Sequence, residues 1–375
     1  MSTDTLFEIK SRIEQLKKEK NAVILAHYYT PAEVQEIADY VGDSFYLSKL
    51  AVDLKKEVLC YCGVSFMGES AKALNPEKIV VMPDLTADCP MAHMVNLAQL
   101  QALKKQYEDL TVVCYVNSTA EIKTYADVCV TSSNAVSIVK NLPAKHIFFI
   151  PDQHLGSYVA SQVPEKHIIL NDGYCPIHHE INKEAIIKQK ETHPLAKVLV
   201  HPECPSDVVS LADYVGSTSG ILNYVKESDD KEFIIATEIG IFYELQKTNP
   251  NKVFYPATEQ QICSDMKKIT LNKVLSALET LSPTVEMSNE LIERSKQPLT
   301  RMLELQINVC YQQRKDRDDN EAKILRRCNR RNRCKWAFYR SFFALSYKSS
   351  HDHKRCYRSQ RLLFGTRRYL CFKIS

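Results

Sequence analysis

Short apolar runs alternate with amphipathic segments along residues 1–305, and three stretches of this alternation resemble one another. In each stretch an apolar run is followed by a polar residue and then by a pattern that predicts a short helix. The three stretches are ILAHYYTPAEVQEIADYVGDS, VCYVNSTAEIKTYADVCVTSS and LVHPECPSDVVSLADYVGSTSG. Aligning His27, Tyr115 and His201 places these positions 88 and 86 residues apart. Because similarity at a fixed spacing marks a repeated structural unit, we predict three homologous units.

Each unit continues with the same order of elements. A second helix leads to an apolar strand (VLCYCG, HIFFIP or EFIIAT), and a third helix precedes Pro-Glu-Lys or Pro-Asn-Lys, a last strand and a cysteine. Strands that alternate with helices indicate parallel sheets with helical crossovers. We therefore predict an α/β fold of three pseudo-threefold-related domains around a central cavity: 1–93, 94–182, and 183–305 with closing helices. Each should contain a short parallel sheet, of about four strands, flanked by helices.

Residues 306–375, called the basic tail below, differ in composition from the rest of the chain. They contain 19 Lys and Arg against 5 Asp and Glu, so the net charge of +4 divides into +14 here and −10 in residues 1–305. The segment RRCNRRNRCKWAFYRSFFALSYK leaves three interpretations open: a nucleic-acid-binding arm, an out-of-frame or vector-derived extension, and a lineage-specific appendage. Its irregular pattern favours the second. We expect a tail outside the repeat fold that is disordered or out of frame.

The first residues of the chain and its cysteine content favour a cytoplasmic location. The first residues, MSTDTLFEIKSRIEQLKKEK, are charged throughout and do not read as a signal peptide. No segment reaches the roughly 18 uninterrupted apolar residues that a membrane span needs. The 13 cysteines therefore suggest reduced thiols rather than a disulfide scaffold. We expect a cytoplasmic protein with no membrane partner.

Three cysteines follow the last predicted strand of the three units in register. Cys89, Cys175 and Cys263 are 86 and 88 residues apart. Ligands bind beyond the carboxyl ends of parallel strands, so these thiols should face one cavity. Three converging thiolates suit an iron–sulfur cluster or a zinc ion. Because no fourth cysteine repeats in register, such a metal would keep an open position and could act as a Lewis acid.

Alternation along the first strand ends directs six polar side chains toward the same cavity. They are His27, Tyr29, Tyr115, Asn117, His201 and Glu203. Glu203 is the only carboxylate among them and the natural general base. Ser44, Ser132 and Thr218 open the next helices, where hydroxyls and backbone amides can hold carboxylate or phosphate oxygens. The sequence therefore predicts a cavity for a small anion.

Eleven segments between Asn21 and Leu305 form a highly specific set. They are AHYY, GDS, CGVSFMGESAKAL, MPDLTADCPMA, CYVNSTAEIK, VTSSNA, PDQHLG, VHPECP, GSTSG, ATEIG and ICSDMKKITL. In these segments the chain resembles the quinolinate synthase family, the iron–sulfur enzymes of de novo NAD biosynthesis. The resemblance implies that the chain condenses iminoaspartate with dihydroxyacetone phosphate to quinolinate, phosphate and water.

The resemblance also implies a cofactor. One 4Fe–4S cluster would have Cys89, Cys175 and Cys263 as its three cysteine ligands, with one open iron that binds substrate oxygen and assists dehydration. The chain departs from some family members, which carry a CxxCxxC run at the third ligand, because QQICSD contains Cys263 alone. A redox-switching disulfide at that position is therefore unsupported.

The roles of the polar residues follow from the resemblance in the same way. Tyr29 and Glu203 would form the acid/base pair, and His27 would be a further catalytic residue. The implied substrate-binding residues are His27, Ser44, Tyr115, Asn117, Ser132, His201, Glu203 and Thr218. The implied partners are the two small anionic substrates and an aspartate-oxidising enzyme that supplies iminoaspartate; no nucleic acid is expected.

A second hypothesis treats the chain as an iron–sulfur sensor or scaffold whose basic tail binds nucleic acid. The polar residues predicted to line the cavity favour the enzyme, because a sensor would not need them. Salt-dependent binding to nucleic acid would instead favour the sensor.

Overall fold

The computed structural model describes residues 3–306, and the strands of this part form three four-stranded sheets. The first sheet contains β1 (Ala22–His27), β2 (Tyr40–Gly42), β3 (Val58–Cys62) and β4 (Ile79–Val81). The second contains β5 (Thr111–Tyr115), β6 (Val128–Val130), β7 (His146–Ile150) and β8 (His167–Leu170). The third contains β9 (Lys197–Val200), β10 (Tyr214–Val215), β11 (Glu232–Ala236) and β12 (Val253–Pro256).

All three sheets have the same topology. Their strand orders are β2-β1-β3-β4, β6-β5-β7-β8 and β10-β9-β11-β12. Every pair of neighbouring strands in these sheets is parallel. The central strands β1 and β3 are buried along their whole length, as expected of parallel strands covered on both faces. The prediction of an α/β fold built from three similar parallel sheets is confirmed.

Helices form the crossovers and flank the sheets. In the first unit these are α1 (Thr3–Glu19), α2 (Ala32–Ile37), α3 (Ser44–Asp53), α4 (Ser65–Leu74) and a 3-10 helix (Pro90–His93). The second unit contains α5 (Leu97–Gln106), α6 (Ala120–Lys123), α7 (Ala135–Asn141), α8 (Gln153–Gln162) and α9 (Pro176–His179). The third contains α10 (Lys183–Thr192), α11 (Ser206–Val209), α12 (Thr218–Glu227), α13 (Ile241–Thr248) and α14 (Ser264–Lys267). Two more helices follow, α15 (Leu271–Thr280) and α16 (289–306).

An aspartate at the end of the first crossover has the same structural role in each unit. The carboxylates of Asp39, Asp127 and Asp213 accept a hydrogen bond from the backbone amide of a central-strand residue, at 2.8, 2.7 and 2.8 Å. In each case the donor lies 15 residues earlier in the chain. The aspartate thereby holds the segment after the crossover helix against the central strand. This shared contact explains why an aspartate recurs at this position in all three units.

The lysine of each Pro-Glu-Lys or Pro-Asn-Lys segment also recurs for a physical reason. Lys78 donates to the carbonyls of Ala51, in the last turn of α3, and of Leu54, directly after this helix, at 2.6 and 2.9 Å. Lys166 and Lys252 donate to carbonyls at the ends of α7 and α12 in the same way. The final carbonyls of a helix have no partner within it, so each lysine satisfies acceptors that would otherwise be left unpaired.

Replacing Lys78 by methionine should lower the free energy of unfolding by about 1–3 kcal/mol, because buried carbonyls then lose a charged donor. The Lys78 side chain is suited to this test because the residue is only 8% exposed. Lys49→Met, at an exposed position of the same helix α3, is the matched control. Denaturant unfolding of the two variants measures the difference, and equal stabilities would contradict the capping role.

The segment that follows the third unit returns to the first. Helix α15 packs against α1, and its apolar side chains belong to the same buried core as those of the first two sheets. Beyond α15, the amide of Val285 donates to the carbonyl of Val80 at 2.9 Å. These contacts connect the C-terminal helices to the first sheet, whereas the boundaries near residues 93 and 182 stay predictions. Residues 307–375 of the basic tail lie outside the described residues.

None of the helices in the described part of the chain is long and apolar enough to span a membrane.

Candidate active site

A cavity of about 160 Å³ lies where the carboxyl ends of the three sheets meet. Its lining includes all twelve residues that the sequence predicts for the site: His27, Tyr29, Ser44, Cys89, Tyr115, Asn117, Ser132, Cys175, His201, Glu203, Thr218 and Cys263. Each of the three units contributes four of them, all at or beyond the ends of its strands. The structure therefore brings the whole predicted set together.

The three cysteines occupy equivalent positions at the cavity wall. Each directly precedes a four-residue helix: Cys89 the 3-10 helix, Cys175 helix α9 and Cys263 helix α14. Backbone amides of these helices approach the sulfurs. All three thiols are free and partly buried. A thiol at a helix N-terminus meets unpaired N–H groups, which stabilise negative charge on the sulfur.

The cysteines nevertheless resist ionisation on their own. Burial raises the pKa of Cys175 well above that of an ordinary thiol, and the nearby Glu203 and Cys89 raise it further. Burial also raises the pKa of Cys89 and Cys263, and Cys263 adds to the effect at Cys89. Because burial is the largest of these effects in all three cases, the thiols need a cation to hold them as thiolates. A metal centre would supply that charge, so the donor set fits one.

A second group of donors extends this site. Atoms of Cys175, His178 and Glu203 lie within 4.8 Å of one another and could hold a metal ion. His178 Nδ1 is 3.2 Å from Cys175 Sγ and 3.0 Å from Glu203 Oε2. His178 thus contacts both a candidate metal ligand and the predicted base, although the sequence analysis did not identify it.

Glu203 is held as a carboxylate at the centre of the polar side of the cavity. Tyr115 donates its hydroxyl to Glu203 Oε1 at 2.5 Å, and His178 contacts the other oxygen. Burial alone would raise the pKa of Glu203, but His178, His201 and the hydrogen bonds from His178 and Tyr115 outweigh burial and lower it to about 2. Glu203 is therefore ionised at neutral pH.

His27 and His201 are neutral hydrogen-bond donors. Burial lowers the pKa of each to about 3, against the opposing effect of Glu203. His27 Nδ1 accepts the Tyr29 amide at 3.2 Å, and His201 Nδ1 accepts the Glu203 amide at 3.4 Å. A neutral imidazole has one N–H, so these contacts place the proton on Nε2 in both rings. Each ring can then donate to an anionic ligand.

Tyr29 lies in a chain of hydrogen bonds that crosses the units. Its hydroxyl is 2.9 Å from Thr218 Oγ1 and 2.8 Å from Thr237 Oγ1. Thr237 Oγ1 in turn is 2.9 Å from His178 Nε2. Since His178 Nδ1 reaches Glu203, the two predicted acid/base residues are connected through Thr237 and His178. Burial and the charge of Glu203 raise the pKa of Tyr29 well above that of a free phenol, so its hydroxyl is protonated.

The remaining predicted residues lie where an anion could be held. Ser44 and Thr218 begin α3 and α12, directly after the capping residues Asp43 and Ser217. Ser132 precedes α7 by three positions. Helix N-termini carry unpaired N–H groups and attract anions. Asn117 Oδ1 is buried and, within the described residues, has no hydrogen-bond partner, which is consistent with a ligand contact there.

The sequence analysis did not identify His178, Thr237 and Glu238, whose side chains contact the predicted site residues. His178 stands three residues after Cys175, and this C-x-x-H spacing could have indicated it. Thr237 and Glu238 follow β11, the second central strand of the third unit. They could have been found by examining this second strand end as the first strand ends were examined.

The comparisons with known proteins agree with this geometry. A family model described as quinolinate synthetase A protein matches residues 11–304. A quinolinate synthase of Fusobacterium nucleatum is 52% identical over 297 residues, which cover 79% of this chain and 99% of that protein. One from Clostridioides difficile is 51% identical over 305 residues, covering 81% and 99%. One from Aquifex aeolicus is 46% identical over 310 residues, covering 81% and 96%.

The family match spans most of the chain, and the matched residues 11–304 include every residue of the predicted site. The chain therefore belongs to the quinolinate synthetase A family and is an enzyme.

Proposed function

We propose that this chain condenses iminoaspartate with dihydroxyacetone phosphate to quinolinate, phosphate and water, as a step of de novo NAD biosynthesis in the cytoplasm. The observation that supports this most is the convergence of three register-matched thiols and nine polar side chains on one cavity. The names of the relatives support the same reaction. Both substrates are small anions, and the cavity offers neutral donors and helix N-termini that suit them.

Cys89, Cys175 and Cys263 would hold a 4Fe–4S cluster with one open iron. Their free thiols, their equivalent positions before short helices and their place in the lining of one cavity support this assignment. When bound, the cluster would supply a Lewis acid that polarises a substrate oxygen and assists the loss of water. His178, which contacts the Cys175 sulfur through Nδ1, would help to orient that ligand.

Tyr29 would exchange protons with the substrate at its hydroxyl oxygen. When the Tyr29 hydroxyl gives up its proton, Thr237 can accept it and pass its own to His178 Nε2. The imidazolium formed there would be stabilised by the ionised Glu203, 3.0 Å from Nδ1. This is the logic of a hydroxyl–imidazole–carboxylate triad applied to a phenol. In this relay His178 would accept the proton, and Glu203 would stabilise the resulting positive charge while also accepting the hydroxyl of Tyr115.

Substrate carboxylate and phosphate oxygens would be held by the surrounding donors. His27 and His201 would donate from Nε2, and the amide of Asn117 would contact the ligand. Ser44, Ser132 and Thr218 would add hydroxyls beside helix N-termini. Iminoaspartate is an imine and hydrolyses in water, so we propose an aspartate-oxidising enzyme as its direct supplier.

The full-length chain, reconstituted with iron and sulfide under anaerobic conditions, tests the proposal. Iron and sulfide analysis should give one 4Fe–4S cluster per chain, and the assay should form quinolinate from the two substrates. A protein that assembles the cluster but forms no quinolinate would reject the proposed reaction. Salt-dependent binding of nucleic acid by that inactive protein would support the sensor hypothesis instead.

The basic tail should be dispensable for this activity. The family match ends at residue 304, and the relative from Fusobacterium nucleatum is covered almost completely by 297 residues. A chain ending at Gln306 should therefore melt at the same temperature, bind the same iron and turn over at the same rate as the full chain. These three measurements at matched salt check the expectation. Loss of solubility or of iron would instead assign the tail to the fold.

A further inference from the structure

Glu238 is a buried carboxylate with three backbone or side-chain donors around it. Its side chain is 1% exposed and follows β11 in the third unit. Oε1 accepts the backbone amide of Cys263 at 3.0 Å and lies 2.8 Å from Lys267 Nζ. Oε2 accepts the amide of Gly240 at 2.6 Å. Both carboxylate oxygens are thus occupied, although Glu238 has no place in the proton relay.

Glu238 contacts both ends of the short helix α14. Cys263 is the residue directly before this helix, and Lys267 is its last residue. A four-residue helix has little stability of its own, because few of its backbone groups bond within it. One carboxylate that binds the amide before the helix and the ammonium at its end therefore restrains the whole segment. The orientation of the Cys263 thiol depends on that segment.

The same group of residues contacts the catalytic tyrosine of the first unit. Lys267 Nζ donates to the backbone carbonyl of Tyr29 at 2.6 Å. Gly240 packs so tightly there that an added Cβ would lie 2.6 Å from Tyr29 Cα and 2.7 Å from the carbonyl oxygen of Tyr28. Glu238 thus connects Cys263 of the third unit to the backbone of Tyr29 through Lys267.

At Cys89 the backbone amide also donates to a carboxylate, but this hydrogen bond is more exposed than the one at Cys263. The Cys89 amide is accepted at 2.8 Å by the carboxylate of the preceding residue, Asp88, whose side chain is 43% exposed and also contacts His93. The Cys263 amide is instead held by a buried carboxylate from 25 residues earlier in the chain. A buried hydrogen bond to a charged group is stronger than an exposed one.

We propose that Glu238, together with Lys267, is a positioning residue that presets the Cys263 thiol and the Tyr29 backbone toward the cavity. The inference rests on the proposed function, in which Cys263 binds the cluster and Tyr29 exchanges protons. Glu238 acts through its contacts with these residues and need not touch substrate. Outer contacts of this kind typically change metal affinity by roughly 10- to 100-fold when they are removed.

The test measures thiol reactivity in the full chain after its iron has been removed with a chelator under anaerobic conditions. A maleimide labels the thiols, and mass spectrometry follows Cys263, Cys89 and Cys175 separately. Glu238→Ala should label about fivefold faster at Cys263, the factor expected for one lost hydrogen bond, with Cys89 and Cys175 unchanged. Glu238→Gln and Lys267→Met should show smaller increases at the same cysteine. After reconstitution, Glu238→Ala should also bind iron roughly 10- to 100-fold more weakly.

Lys247→Met is the matched control, because Lys247 is exposed and pairs with a carboxylate, Glu244, on α13 of the same unit. It should label like the unchanged chain. If Glu238→Ala does not fold, Glu238→Gln and Lys267→Met decide the question. Unchanged labelling at Cys263 in these variants, or an equal increase at all three cysteines, would overturn the inference.

The labelling experiment requires neither cluster nor turnover, so its result is independent of the assay for quinolinate. Unchanged labelling in a chain that forms quinolinate would reject the positioning role and leave the proposed function standing. Faster labelling confined to Cys263 in the Glu238 variants, combined with no quinolinate from the unsubstituted chain after reconstitution, would support the positioning role and reject the proposed reaction.

Discussion

If the proposed cluster is bound by Cys89, Cys175 and Cys263, replacing any one of them by serine is expected to abolish both cluster binding and activity. Each cysteine contributes one sulfur to the cavity, and a cluster with two remaining thiolates has two open positions and is labile. Iron and sulfide content, visible absorption and quinolinate formation measure the effect after anaerobic reconstitution. A single variant that retained a full cluster and full turnover would show that its cysteine is not a ligand.

Cys204 provides the matched control for these substitutions. It is also a free, buried cysteine of the third unit, and its thiol contacts the backbone carbonyl of Ala236 rather than the cavity. Cys204→Ser should therefore keep the cluster and most of the activity. Loss of iron in this variant would show that Cys204 is itself a metal ligand.

Replacing Glu203 by glutamine should lower the turnover number by roughly 10²–10⁴-fold, the range typical of a lost acid/base group. Glutamine keeps the shape of the side chain but removes the negative charge that the proposed relay requires 3.0 Å from His178 Nδ1. The visible absorption of the cluster should stay unchanged, because the three thiols remain. Steady-state kinetics and absorption of the same reconstituted sample measure both quantities.

The same substitution separates the two possible sets of metal ligands. If Cys175, His178 and Glu203 held the metal, Glu203→Gln would lose iron, whereas Cys89→Ser would keep it.

Glu232→Gln is a suitable control for Glu203→Gln, because Glu232 also accepts the hydroxyl of a tyrosine, Tyr255, at the far end of the third sheet. It should leave turnover unchanged. A normal rate for Glu203→Gln would assign the base function to another residue, such as Tyr29 or His27.

Much of the fold could be predicted because its repeating features are local. The aspartate that accepts a strand amide and the lysine that caps a helix recur at matched positions, and each meets its partner within the same unit. Alternation along a strand then determines which residues point toward the same face. The three cysteines and the strand-end residues such as His27 and Glu203 could therefore be placed at one cavity before their contacts were known.

The contacts between units could not be predicted in this way. The hydroxyls of Tyr29 and Thr237 are hydrogen-bonded although the two residues are 208 positions apart in the sequence. Lys267 donates to the carbonyl of Tyr29 over a sequence separation of 238 residues. The spacing within each unit determines the position of a residue on its own sheet, but the packing of three sheets decides which side chains touch. The sequence by itself determined the repeat, the α/β units and the residues that face the cavity. Only the tertiary structure decided that Thr237 and His178 connect Tyr29 to Glu203, because that chain requires side chains from all three units to meet.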